Sequence, residues 1–130
     1  MKIVMKKAWF VLGLLIAGMG SASAATLVPQ KGVSILFING QKSQSKIGEN
    51  QINDGYNQLV VRFDHNYGNS SGVYTSSPYV IMFDVAGEEI KIRPPKARSK
   101  MEAQKIFEAD KPKWRVVEDD REIKYQQGII

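Results

Sequence analysis

The chain has 130 residues, a formal net charge of +5 and no cysteine, which excludes disulfides, thiolate metal sites, cysteine nucleophiles and a lipid-bearing cysteine. Setting aside Lys2, Lys6 and Lys7 leaves 15 Lys and Arg against 13 Asp and Glu, a net +2. Overall charge therefore gives no support to nucleic-acid or anionic-membrane binding, and the length beyond the amino-terminal segment suits one domain.

The opening segment reads as a secretory signal peptide. Lysines precede an apolar run from Ala8 to Met19, which Gly13 and Gly18 thin and which is shorter than the roughly 20 residues that cross a bilayer. Ala22-Ser23-Ala24 puts small residues at the two positions that a signal peptidase reads, so cleavage is expected between Ala24 and Ala25. The expected product is an exported domain, residues 25–130, with no membrane span of its own.

That domain reads as mainly β. Thr26-Leu27-Val28 before Pro29 predicts a short strand, and the apolar run Val33 to Ile38 predicts a buried one. Asn39-Gly40 follows directly, and the tolerance of both residues for positive φ predicts a tight hairpin to a polar return strand, Gln41-Lys42-Ser43. From Gln44 to Asn53 the chain is polar, with a short strand expected near Ile52. Asp54-Gly55 then turns into the strongest strand signal. Leu59, Val61 and Phe63 alternate with Gln58 and Arg62, and apolar Val60 on the second face marks a central strand.

A loop rich in turn formers spans Asn66 to Gly72. Tyr79, Ile81, Phe83 and Val85 share one face of the next strand, and Gly87 predicts a hairpin that pairs it with Glu88 to Arg93. Pro94-Pro95 ends that strand. A helix is expected over about 99–109: Ser99 and Glu102 have capping-box spacing, Ala103, Ile106 and Phe107 form an apolar stripe, and Pro112 forbids continuation. Trp114 to Val117 and Glu122 to Tyr125, around Asp119-Asp120, predict a last hairpin. Short strands at this spacing predict a small β-sandwich with one helix on an end or face.

No catalytic constellation stands out. His65 is the single histidine, and its neighbour Asp64 lies on the opposite face of a strand, so the two diverge rather than pair as acid and base. Glu118, Asp119, Asp120 and Glu122 lack the ligand spacing and glycine of a calcium loop and read as an acidic turn. The tyrosines and Trp114 read as core aromatics before they read as a sugar platform. Lys91, Arg93, Lys96, Arg98 and Lys100 form the one local basic cluster, either a solvated linker or a grip for phosphate, a lipopolysaccharide head group or an acidic segment.

Four motifs in order carry a resemblance: Gly40-Gln41-Lys42; Asp54-Gly55 with Gln58 to Arg62; Tyr74-Thr75-Ser76-Ser77-Pro78-Tyr79 through Phe83; and Glu102-Ala103 with Phe107. Together the chain resembles the YccT/CsgI-like family of periplasmic proteins, and the first two motifs are also similar to the PEGA-type β module. The resemblance implies a non-enzymatic, cofactor-free, β-rich protein of the Gram-negative envelope. It also implies a partner, an exported amyloid subunit whose assembly into curli the protein hinders. Asn57 stands where that family commonly has histidine, and most of its members continue past the equivalent of Tyr125. The partner surface is expected at the edge residues Gln41, Lys42 and Ser43 and at the cations Arg93, Lys96, Arg98 and Lys100. The alternative reading is an envelope module that binds polysaccharide or peptidoglycan through the basic segment and exposed tyrosines.

Overall fold

The computed structural model describes residues 24–68, 71–109 and 111–128; the expected signal peptide, residues 1–24, lies outside them except for Ala24. In chain order the strands are β1 (Ala24–Pro29), β2 (Val33–Ile38), β3 (Gln41–Lys42), β4 (Asn50–Asn53), β5 (Gly55–Asn66) and β6 (Val73–Thr75). They continue as β7 (Tyr79–Val85), β8 (Glu89–Arg93), the helix α1 (Lys100–Glu108), β9 (Arg115–Glu118), β10 (Arg121–Ile123) and β11 (Gln126–Gly128). Two sheets form a small β-sandwich: one runs β10-β9-β8-β1-β4, the other β11-β7-β5-β2-β3, with β6 paired to β5.

Alternation sets which face each strand buries. On β5, Leu59, Val61 and Phe63 are buried while Gln58 is exposed, and the strand is central, with β2 on one side and β7 on the other. Its inward residues meet Ile35 and Ile81 of the same sheet and face Leu27, Ile90, Ile92 and Val116 of the other. Each fully buried aliphatic side chain contributes roughly 1.5–3 kcal/mol before ordering costs. β2 is buried only over its first half. Its register against β5 shifts between Ile35 and Phe37, a bulge at Leu36 that leaves Phe37 42% exposed.

One expected pairing is overturned. β7 and β8 do not form a hairpin: β7 lies in one sheet between β5 and β11, and β8 lies in the other, parallel to β1 and antiparallel to β9. Gly87 marks a crossover between sheets. The physical cause sits 30 residues downstream, in the acidic turn. The Glu118 carboxylate accepts from the amides of Ala86 and Gly87, both at 2.7 Å, and the Asp119 carboxylate accepts from Glu88 and Glu89. These four amides are thereby diverted from a hairpin ladder. A Cβ on Gly87 would come within 2.2 Å of Asp119 Oδ2, so the residue is needed for close approach rather than for a hairpin turn.

A crossover from β4 to β5 at the same end turns at Asp54 and Gly55 (φ +97°) and is held by Asn57. This side chain is 1% exposed and fully bonded: it donates to Asn53 O and Gly55 O and accepts from Asn39 Nδ2. Both crossovers flank one small hollow lined by Ala24, Thr26, Asp54 and 86–88, which makes this the clamped end of the sandwich. Ala24 opens β1 opposite Asn53, and Ala25 is fully buried opposite Ile52.

At the opposite end, α1 is capped as its spacing predicts. Ser99 Oγ accepts from the Glu102 amide, while Glu102 Oε1 reaches one residue further back, to the Arg98 amide. Phe107 stacks on Phe63 with ring centroids 4.7 Å apart and also meets Tyr74, Tyr79 and Trp114. Among the described residues no helix is long and apolar enough to cross a membrane.

Candidate functional site

Two places collect the predicted contact residues. The first is the edge β3. Asn39 (φ +53°) and Gly40 (φ +82°) make the two-residue turn, Ile38 pairs with Gln41 and Phe37 with Lys42, and Ser43 N donates to Leu36 O. In an antiparallel ladder inward and outward amides alternate, so the bond made by Ser43 directs the Lys42 N–H and C=O away from β2. The edge then stops. The Gln44 and Ser45 amides both turn onto the carboxamide oxygen of the buried Asn50, at 2.9 and 3.2 Å. Ser43 Oγ is also occupied, donating to Ile35 O at 2.6 Å. Gln41 and Lys42 are exposed, so Lys42 presents the backbone of this edge and Ser43 anchors it.

The second place is a cleft of ≈ 950 Å3 at the end opposite the clamped crossovers. Pro94-Pro95 ends β8 and sends the chain away from the sheet, which opens a gap between the turn after β1 and the approach to β9. Into it come Lys31 from that turn, Arg93 from the end of β8, Lys96 after the prolines, and Lys113 and Arg115 around the start of β9. The half-buried rings of His65 and Tyr125 face it, with the buried Phe63 and Trp114 behind them. Among the described residues the one acid in the lining is Glu122, and it is engaged by Arg115 at 3.1 Å in an exposed pair worth at most about 1 kcal/mol.

Two donors in this lining have no partner. Arg93 Nε and Trp114 Nε1 are both shielded from solvent and have no hydrogen-bond partner among the described residues, and Trp114 as a whole is 2% exposed. Buried indole and guanidinium N–H groups are ordinarily paired, so two of them in one lining are out of the ordinary. The Tyr125 hydroxyl is pushed above the usual phenol range, chiefly by burial, and stays a donor at neutral pH.

The structure divides the basic cluster. Arg93 and Lys96 line the cleft; Arg98 and Lys100 do not, Arg98 lying just before the helix cap and Lys100 starting the helix. Lys91 sits 3.8 Å from Glu89. The tyrosines do not form a platform. Tyr67 donates to Ala97 O, Tyr79 to Phe107 O, and both pack on the core with Tyr74, leaving Tyr56 exposed. Asp64 and His65 diverge as expected. The carboxylate of Asp64 is bonded to Ser34, Thr75 and Arg62, and the His65 ring meets Tyr67 edge-on at 4.4 Å and lines the cleft. Burial pushes the Asp64 carboxyl up, but its bonds from Thr75, Ser34 and Arg62, with the Arg62 charge, outweigh this and hold it below the ordinary carboxylate range. Among the described residues no group of His, Asp and Glu is placed to share a metal ion.

Lys31, Lys113 and Arg115 are the cleft residues that sequence reading missed. Each looks like an ordinary surface cation, and they converge only because β1, β8 and β9 are neighbours in one sheet.

The chain is 38% identical over 123 residues to the UPF0319 protein VV2327 of Vibrio vulnificus, covering 90% of this chain and 58% of that protein. It is 34% identical over 107 residues to the UPF0319 protein VP1009 of Vibrio parahaemolyticus, covering 80% of this chain and 49% of the relative. The chain thus spans about half the length of these relatives. No solved structure matches it. A family profile described as "Uncharacterized protein conserved in bacteria (DUF2057)" matches residues 26–130, nearly all of the described sandwich, and the chain belongs to that family.

Proposed function

We propose that this chain is a periplasmic, non-enzymatic binding protein of the YccT/CsgI-like kind, which engages extended segments of exported, amyloid-prone subunits and hinders their polymerisation. The observation that carries the reading is the edge at Lys42, whose N–H and C=O point away from β2 on exposed backbone. An incoming strand can bond there by edge addition. The same geometry accounts for arrest rather than growth. A template needs outward amides at alternate positions along the edge, and here Asn50 has taken the next one, that of Gln44, while the lysine side chain discourages stacking of further copies. Membership of DUF2057 and the apolar, lysine-headed start of the sequence are compatible with an envelope protein of this type.

The test is fibre growth of a purified curli-type subunit followed by thioflavin fluorescence. Parent protein at equimolar concentration lengthens the lag. Lys42→Pro, which removes an outward amide and spares the inward ladder, abolishes that effect while the melting temperature stays within about 3 °C of the parent. Undiminished inhibition by the folded proline variant, or no inhibition by the parent, refutes the proposal.

A further inference from the structure

We infer that the cleft at the β8–β9 end is a second binding site, independent of the β3 edge, and that its ligand is an acidic sugar: a saccharide ring bearing a carboxylate or phosphate. Lys31, Arg93, Lys96, Lys113 and Arg115 arrive from separate segments, and their convergence is opposed by mutual repulsion that an anion relieves. Glu122 offsets Arg115 alone, leaving Lys31, Arg93, Lys96 and Lys113 without a carboxylate among the described lining residues. A cluster that only served solubility would spread its charges over open surface.

The orphan donors make this a built site rather than a basic patch. Arg93 Nε and Trp114 Nε1 are denied both solvent and protein acceptors, and both residues belong to the cleft lining. An oxyanion entering the cleft, with local side-chain adjustment, is the kind of acceptor both lack, and a charge-assisted bond to guanidinium is among the stronger available. The rest of the lining argues for a ring rather than a bare ion. Tyr125 and His65, both half-buried, present planar surface, with Trp114 packed behind them, and Pro94 and Pro95 add rigid apolar walls. A volume of ≈ 950 Å3 is far more than a single phosphate needs and matches the size of pockets that hold one or two rings. An acidic peptide would satisfy the cations without using those faces.

The experiment follows the two indole N–H signals, Trp9 and Trp114, in nitrogen-labelled full-length protein, with a Trp9→Phe variant to assign them. The probes are trigalacturonic acid, glucose 6-phosphate, inorganic phosphate, maltotriose and hexaglutamate. The acidic sugars are expected to move the Trp114 signal, the tighter of the two naming the anion, and to bind roughly tenfold better than maltotriose or inorganic phosphate. Their affinity should fall as salt rises from about 0.05 to 0.5 M. The double variant Lys96→Gln/Lys113→Gln, at two exposed positions where folding is not at risk, should lose roughly tenfold in affinity, and Arg98→Gln, outside the cleft, should lose none. Four outcomes overturn the inference: an unmoved Trp114 signal with both acidic sugars, equal binding of maltotriose, unchanged affinity in the double variant, or tighter binding of hexaglutamate, which would assign the cleft to an acidic protein segment. Fibre inhibition by the double variant should match the parent, so failure here and failure of the edge reading are separable.

Discussion

Replacing Asn57 by alanine tests whether the clamped end depends on one buried carboxamide. Its two donated bonds, 2.8 Å to Asn53 O and 2.9 Å to Gly55 O, fix the crossover from β4 to β5, and the bond from Asn39 Nδ2 ties in the neighbouring hairpin. Each donated bond contributes roughly 0.5–1.5 kcal/mol net, and truncation also strands two carbonyls beneath the turn. The exposed Asn39 amide can turn to water at little cost. The expected loss is about 2–3 kcal/mol, or a melting temperature lower by roughly 10–20 °C at about 4–8 °C per kcal/mol for a domain of this size. Urea unfolding followed by circular dichroism, with an unchanged slope, is the assay. Asn57→Asp is the decisive companion. It keeps the acceptor for Asn39 but sets a carboxylate against two carbonyl oxygens, so it must be at least as damaging as alanine. A loss below about 0.5 kcal/mol for alanine, or parent-like stability for aspartate, would refute the clamp.

Two further outcomes bear on stability, beside the edge and cleft tests already set out. Gly87→Ala should cost about 1–3 kcal/mol in urea titration, because its Cβ displaces the Asp119 carboxylate from the crossover amides; Asp119→Ala should remove the part of that penalty due to the carboxylate, leaving the Cβ contact with Glu118 Cγ, and full additivity of the two changes would count against the contact. The folded carboxyl of Asp64 titrates below its unfolded value, so its contribution is complete above the ordinary 3.8 and is lost as pH falls through the lower folded value. Stability measured from pH 6 downward should therefore decline less steeply below about pH 4 in Asp64→Asn than in the parent, and parallel profiles would exclude the residue from the acid response.

Much of the strand pattern was legible because it is local. The alternation of Leu59, Val61 and Phe63, the Asn39-Gly40 turn and the Ser99 cap each depend on residues within a few positions, and each formed as read. The pairing of β7 with β8 was misread for the opposite reason. Gly87 carries a hairpin signal, and what overrides it is a pair of carboxylates about 30 positions away that look like solvated turn residues. Asn50 and Asn57 were passed over likewise, since a buried asparagine and a loop asparagine have the same one-letter signature. The cleft was half legible. Arg93 and Lys96 stood in a visible basic run, but their partners come from residue 31 at one extreme and residues 113–125 at the other, and only the sheet order unites them.

The parallel pairing of β1 with β8 also sets a timetable. Thr26 to Pro29 bond to Glu89 to Ile92, some 60 positions later, and the β8 side of β1 has no other neighbour in its sheet. A chain that emerges amino end first from a ribosome or a membrane pore therefore carries an unfinished strand until most of the domain has appeared. The centre of the second sheet has no such delay, since β2, β3, β5 and β7 are all present by Val85, although the chain visits the other sheet at β4 and the edge strand β11 is added last. Those central strands can form first as a scaffold, and the sheet that builds the cleft closes afterwards, when β8 slots between β1 and β9. Slow, non-local closure of this sort makes the nascent chain itself a temporary owner of open strand edges, so its own passage to the native state is the interval in which it is most exposed to self-association.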